Sequence, residues 1–139
     1  MWDLDGNVIA HLTGYESIIA EIAAKTKAFG KPVLLFNGDS HTYRSDNPLK
    51  QGAPCFIEPV TPATTGAAAS ACTTANTPAG MADDWNQHPF YDVPNFHRVT
   101  VHGSTTPLEW LKLKFDVSQN APGSENAFGP FSWTRKVQP

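Results

Sequence analysis

The sequence predicts an α/β fold built in layers, with one helix and a buried strand near its start and antiparallel strands at its end. Three observations predict it. An amphipathic stripe bounded by helix signals runs directly into the unbroken apolar segment Val33-Leu34-Leu35-Phe36. Phe96 to His102 and Leu111 to Val117 alternate with the period of two expected of strands. Between these ends, residues 46–94 are dominated by Pro, Gly, Ala, Ser and Thr, and the chain carries twelve Pro and ten Gly in all. With about 100–200 residues per domain as the guide, 139 residues make one domain at most. We read 1–139 as a single, partial domain with a loop-rich insert at about 46–94.

The helix is marked at both ends. Thr13 followed by Glu16 forms a capping box, each side chain satisfying the other residue's free backbone N–H. Tyr15, Ile18, Ile19, Ile22, Thr26 and Phe29 recur at spacings of three and four, while Glu21, Lys25 and Lys27 fall outside that stripe. Gly30 tolerates the left-handed conformation past a helix end and Pro32 cannot continue one. The pattern predicts a helix over about 14–29.

Val33 to Phe36, bounded by Pro32 and Asn37-Gly38, reads as a strand covered on both faces. In the insert, Thr61 to Gly80 holds no charge and almost no large side chain, so the segment is expected to bury little. Trp85 to Tyr91 would pin its far end. Cys55 and Cys72 both lie there. Their spacing matches no zinc pattern. A disulfide would suit a poorly packed loop in an oxidising compartment, and two free thiols is the other reading; the pair leans localisation toward the periplasm or secretion. Beyond the insert, Gly103 to Pro107 would turn Phe96–His102 back onto Leu111–Val117 as a hairpin, and a third strand is expected over Ala127 to Trp133.

Composition narrows the function classes. Hydrophobic residues at 40%, charged residues at 17% and a net charge of −3 fit a globular chain and argue against nucleic acid as a structural partner. No apolar stretch approaches the roughly 18–20 residues of a membrane span, and Asp3, Asp5, Glu16 and Glu21 stand where a leader would be basic and apolar. No membrane partner is expected.

Open sheets with helices place ligands at the carboxyl ends of their strands, and here that end is Gly38-Asp39-Ser40-His41. A carboxylate and an imidazole two residues apart, on a loop after a strand, can reach one or two divalent ions; the alternative is that both cap the strand end by hydrogen bonding. Tyr43 and Arg44 would reach a substrate phosphate, which a guanidinium binds in a bidentate manner. Arg44 paired with Asp46 or another acid is the competing assignment. His11, His88, His97 and His102 are read as surface or structural, the last two on opposite sides of one strand. Asp3-Leu4-Asp5-Gly6-Asn7 resembles the nucleophile loop of haloacid-dehalogenase-type phosphatases, but only Met1 and Trp2 precede it where that loop needs a buried strand. We read it as an acidic turn.

The run Lys31-Pro-Val-Leu-Leu-Phe-Asn-Gly-Asp-Ser-His-Thr-Tyr-Arg-Ser-Asp-Asn-Pro-Leu49, followed by Asn95-Phe-His-Arg-Val-Thr-Val-His-Gly-Ser104 and Pro107-Leu-Glu-Trp-Leu111, resembles the C-terminal part of calcineurin-like metallophosphoesterases. The resemblance implies the second half of a four-layer αββα sandwich and a hydrolase using manganese, iron or zinc on phosphate esters. Of the family's five metal-binding segments, only the final Gly-His-x-His has a counterpart. His41 matches a ligand there, and Asp39 stands in place of a histidine. No Gly-Asn-His-Asp/Glu segment occurs. A two-metal site needs bridging and terminal ligands for both ions, so the resemblance implies a part of a phosphoesterase that is inactive alone. The competing function is a non-catalytic binding module with a disulfide-closed loop, meeting a partner through Trp85, Phe90 and Tyr91 or associating with itself through an exposed sheet edge.

Overall fold

The computed structural model describes residues 16–40, 42–59, 66–73, 91–102 and 109–137, with the backbone alone at Glu16, Asp39 and Ser40. Helix α1 spans Glu16–Phe29, and eight strands follow: β1 Val33–Ser40, β2 Arg44–Asp46, β3 Phe56–Ile57, β4 Ser70–Ala71, β5 Phe96–His102, β6 Glu109–Phe115, β7 Ala127–Phe128 and β8 Phe131–Val137. They form a five-stranded sheet in the order β1-β5-β2-β3-β4 and a three-stranded sheet in the order β6-β8-β7. The mixed α/β class expected from the sequence is what the chain adopts.

α1 ends where its signals place the end. Gly30 takes φ 67° and donates its N–H to the Thr26 carbonyl at 3.3 Å, the glycine cap that leaves a helix without a Cβ clash. Asn95 Nδ2 then donates to the carbonyls of Thr26 at 2.7 Å and Lys31 at 2.9 Å. One amide from the start of β5 therefore fixes the turn between α1 and β1. The buried face is rotated from the expected stripe: Ile19, Ala23 and Thr26 are buried, whereas Ile18 and Phe29 are exposed. The proposed cap Thr13 lies outside the described residues.

Two apolar clusters sandwich the five-stranded sheet. On one face Ile19 and Ala23 of α1 pack with Leu49, Val93 and Phe96; on the other Tyr43 and Val99 pack with Phe128 and Trp133 of the second sheet. Val33 and Leu35 join the first cluster and Leu34 the second, as the alternation of a strand requires. β1 is thus packed on both sides, but only half-buried, with Phe36 at 39% exposure. Among the described strands it stands at one edge of the sheet, rather than being the covered strand its apolar run suggests.

The expected hairpin of β5 with β6 does not form. β5 lies between β1, to which it runs parallel, and β2, to which it runs antiparallel, while β6 pairs with β8 in the other sheet. Burial explains the exchange. β5 is buried on both faces, because its polar side chains Arg98, Thr100 and His102 have partners inside the fold; β6 has a solvent face and takes the outer sheet. The third predicted strand divides into β7 and β8 around Gly129-Pro130, where Gly129 at φ 54° takes the first position of a two-residue turn.

The insert also buries more than its composition suggests. Leu49, Ile57 and Val93 are core residues, and β2, β3 and β4 extend the sheet across this segment. A few widely spaced large side chains suffice, because the backbone is held by strand pairing and by a disulfide between Cys55 and Cys72, whose Cα atoms are 5.3 Å apart.

Candidate functional site

β1 and β5 run parallel, and their carboxyl ends meet at Ser40 and His102. Gly38, Asp39 and Ser40 belong to β1 itself, not to a loop after it, and the register with β5 becomes irregular between Asn37 and Ser40. Such an irregularity re-aims side chains at a strand end. His41 lies outside the described residues, as does the side chain of Asp39, so the pair expected to hold a metal falls there. Trp85, His88, Phe90, His11, Asp3 to Asn7 and the Gly103–Pro107 turn lie outside them too.

The segment is braced on both sides. Before it, Thr100 Oγ1 donates to Asn37 Oδ1 at 3.0 Å. After it, the Tyr43 N–H donates to Glu58 Oε1 at 2.6 Å, and the Glu58 N–H donates back to the Tyr43 carbonyl at 3.2 Å. Glu58 is fully buried and is the centre of a network that composition gives no hint of. His102 Nδ1 donates to Glu58 Oε1 and Arg135 Nη2 to Glu58 Oε2. Arg135 further donates from Nε and Nη2 to the two oxygens of Glu109 at 3.0 and 2.8 Å and from Nη1 to the Ala67 carbonyl at 2.6 Å. Its guanidinium lies 4.0 Å from the centre of the Tyr43 ring. Burial alone would lower the Arg135 pKa, but Glu109 and Glu58 outweigh it and raise it. A buried carboxylate is tolerated only when its oxygens are met by donors in this way.

The expected phosphate-binding pair is placed differently. Tyr43 is fully buried; its hydroxyl donates to the Glu125 carbonyl at 2.5 Å and accepts from Trp133 Nε1 at 2.7 Å. Burial pushes its pKa up to about 12. Tyr43 therefore ties the two sheets together and offers no group to an incoming ligand. Arg44 is 2% exposed, on the strand face opposite Tyr43. Asp46, the acid expected beside Arg44, instead holds Arg98 in a bidentate pair at 2.8 and 2.5 Å.

His97 is buried under Phe128, stacked at a ring separation of 5.0 Å, and lies 2.8 Å from Ser45 Oγ through Nε2. Ser45 Oγ donates to the Ser124 carbonyl at 2.7 Å, so His97 Nε2 is the donor to Ser45. A serine beside an imidazole suggests a nucleophile and base. Here the proton flows the wrong way and Ser45 is fully buried, so the pair is structural. Burial depresses the His97 pKa to about 4, with Asp46 acting against the shift and Arg98 with it.

Among the described residues no group of three His, Cys, Asp or Glu side chains could hold a metal. Asp39 and His41 by themselves do not complete a coordination sphere, and no reaction step is derived through a metal. No family model, curated protein or solved structure matches this chain.

Proposed function

We propose that the chain is the C-terminal part of a metal-dependent phosphoesterase, contributing His41 as a ligand to manganese, iron or zinc and Asp39 as a second ligand or as the group that orients it, and that alone it turns over nothing. The observation that carries the reading is that β1, which ends at Ser40 immediately before His41 in the sequence, brings Gly38, Asp39 and Ser40 to the carboxyl end of a parallel strand pair, where α/β sheets bind ligands. It is supported by the hydrogen bonds that Thr100 and Glu58 make to the flanking residues Asn37 and Tyr43, since metal ligands work when their surroundings fix their orientation. The fourth layer of an αββα sandwich would come from the part of the enzyme that carries the remaining ligands. The coding sequence upstream of the Met1 codon tests this. An in-register frame encoding Asp-x-His, Gly-Asp-x-x-Asp and Gly-Asn-His segments agrees with the proposal, and a stop codon close upstream contradicts it.

The second reading is a non-catalytic module, favoured by the apolar residues that stand exposed on β1, on β6 and just after β6: Phe36, Leu113, Phe115 and Val117. Among the described strands β1 is an edge strand, and an open edge beside exposed apolar side chains invites association with a second copy. Sedimentation of the purified chain tests this reading: a stable self-associated species favours the module, and a monomer at high concentration contradicts it.

A further inference from the structure

The outer face of the three-stranded sheet has a charge unlike the rest of the chain. Antiparallel pairing sets Trp110 opposite Lys136, Lys112 opposite Thr134 and Lys114 opposite Ser132. All six side chains share one face, because the intervening Leu111, Trp133 and Phe131 point into the core. Subtracting these three cations from a chain of net charge −3 leaves −6 for everything else. Lys112 and Lys136 meet no carboxylate among the described residues; Lys114 has only a loose, exposed approach to Asp116 at 3.6 Å. The three lysines, Ser132 and Thr134 line a shallow groove of about 420 Å³, and the indole of Trp110, 54% exposed, stands beside it.

We propose that this face binds a linear acidic polysaccharide, carboxylated or sulfated. Lys112 and Lys114 lie about 7 Å apart along β6, two residues at ~3.4 Å each, so the cations form a row that matches repeated charges on a polymer better than a single ion. The hydroxyls of Ser132 and Thr134 meet sugar hydroxyls between the charges, and the flat exposed indole offers its face to a pyranose ring. The Cys55–Cys72 disulfide belongs to an oxidising compartment, where acidic polysaccharides rather than nucleic acids are the polyanions at hand. The site is independent of the Gly38–His41 segment and of the function proposed for it.

Calorimetric titration of the oxidised chain with polygalacturonate and with dextran sulfate tests this, with neutral dextran, a single-stranded DNA oligonucleotide and phosphatidylglycerol vesicles as comparisons. Binding to at least one acidic polysaccharide is expected. It should weaken roughly twentyfold between 50 and 200 mM salt, from three released counterions at ~0.7 per cation. Lys112→Gln/Lys114→Gln/Lys136→Gln should abolish it and Trp110→Ala should weaken it, with far-UV circular dichroism and the urea midpoint unchanged in both. Absence of binding, equal binding of neutral dextran, tighter binding of the oligonucleotide or the vesicles, or affinity unaltered in the folded triple variant would each overturn the proposal.

Discussion

Replacing Glu58 by Gln keeps the shape of the side chain and removes the charge at the centre of the buried network. In the native chain its two oxygens take donors from Tyr43, His102 and Arg135. The amide has one acceptor oxygen, so it serves either the Tyr43 N–H and His102 or Arg135, and its NH2 group faces the donors on the other side. Breaking a buried ion pair from one side costs about 3–5 kcal/mol. Arg135 keeps both of its bonds to Glu109, which limits the loss to the lower end, about 3 kcal/mol. For a chain of this size that corresponds to a fall of roughly 10 °C in Tm. Urea denaturation followed by the fluorescence of buried Trp133 gives the free-energy change, and hydrogen exchange at the Tyr43 amide reports the local effect. Combined with Arg135→Met, the double variant should lose less than the sum of the single losses, by about 1–3 kcal/mol. A Glu58→Gln chain within about 0.5 kcal/mol of the native one, in the range of an ordinary surface change, would refute the role given to this carboxylate.

Three further outcomes follow from buried groups and the cross-link. Reducing the Cys55–Cys72 disulfide, which joins residues 17 apart, should lower stability by about 3 kcal/mol in the chain-entropy model; a Cys55→Ser/Cys72→Ser chain should match the reduced native chain in urea and be indifferent to reductant, and an unmoved midpoint would contradict this. His97 titrates near 4 when folded against about 6.5 when unfolded. The unfolded state therefore binds the proton first, and stability should be full above about pH 6.5 and fall by about 3 kcal/mol as pH drops to 4, a slope that His97→Gln should remove from the pH series of urea midpoints. Tyr43 has its pKa raised to about 12, so its contribution is present below pH 10 and lost between 10 and 12. Absorbance at 295 nm should show one tyrosine ionising late, and Tyr43→Phe should delete that step.

Local signals in the sequence were readable where one residue type has one physical use. Gly30 and Pro32 end a helix and apolar Val33 to Leu35 makes a strand, whereas Gly129-Pro130, inside one expected strand, turns the chain between β7 and β8. Partner choice was not readable. Arg98, Thr100 and His102 looked like the wet side of an amphipathic strand, and that pattern led to a β5–β6 hairpin. Each has instead a polar partner from a distant segment, Asp46, Asn37 and Glu58 in turn, and these pairs let β5 occupy the centre of a sheet. Glu58 itself carried one faint signal, a single charge in the otherwise uncharged run Cys55 to Val60. The lysine face was hidden for the same reason: Lys136 joins Lys112 and Lys114 only through the β6–β8 register, which net charge does not record. Tyr43, grouped with Gly38–His41 by proximity in sequence, is committed to the core.

In the function proposed above, Asp39 and His41 form one side of a metal site that this chain cannot complete. The most direct measurement is calorimetric titration of the native, His41→Ala and Asp39→Asn chains with manganese and with zinc, with p-nitrophenyl phosphate turnover followed in the same samples. Weak binding of one ion that His41→Ala removes, with no turnover, is the predicted result. Metal binding unaffected by His41→Ala, no binding at all, or turnover that His41→Ala abolishes would contradict the account.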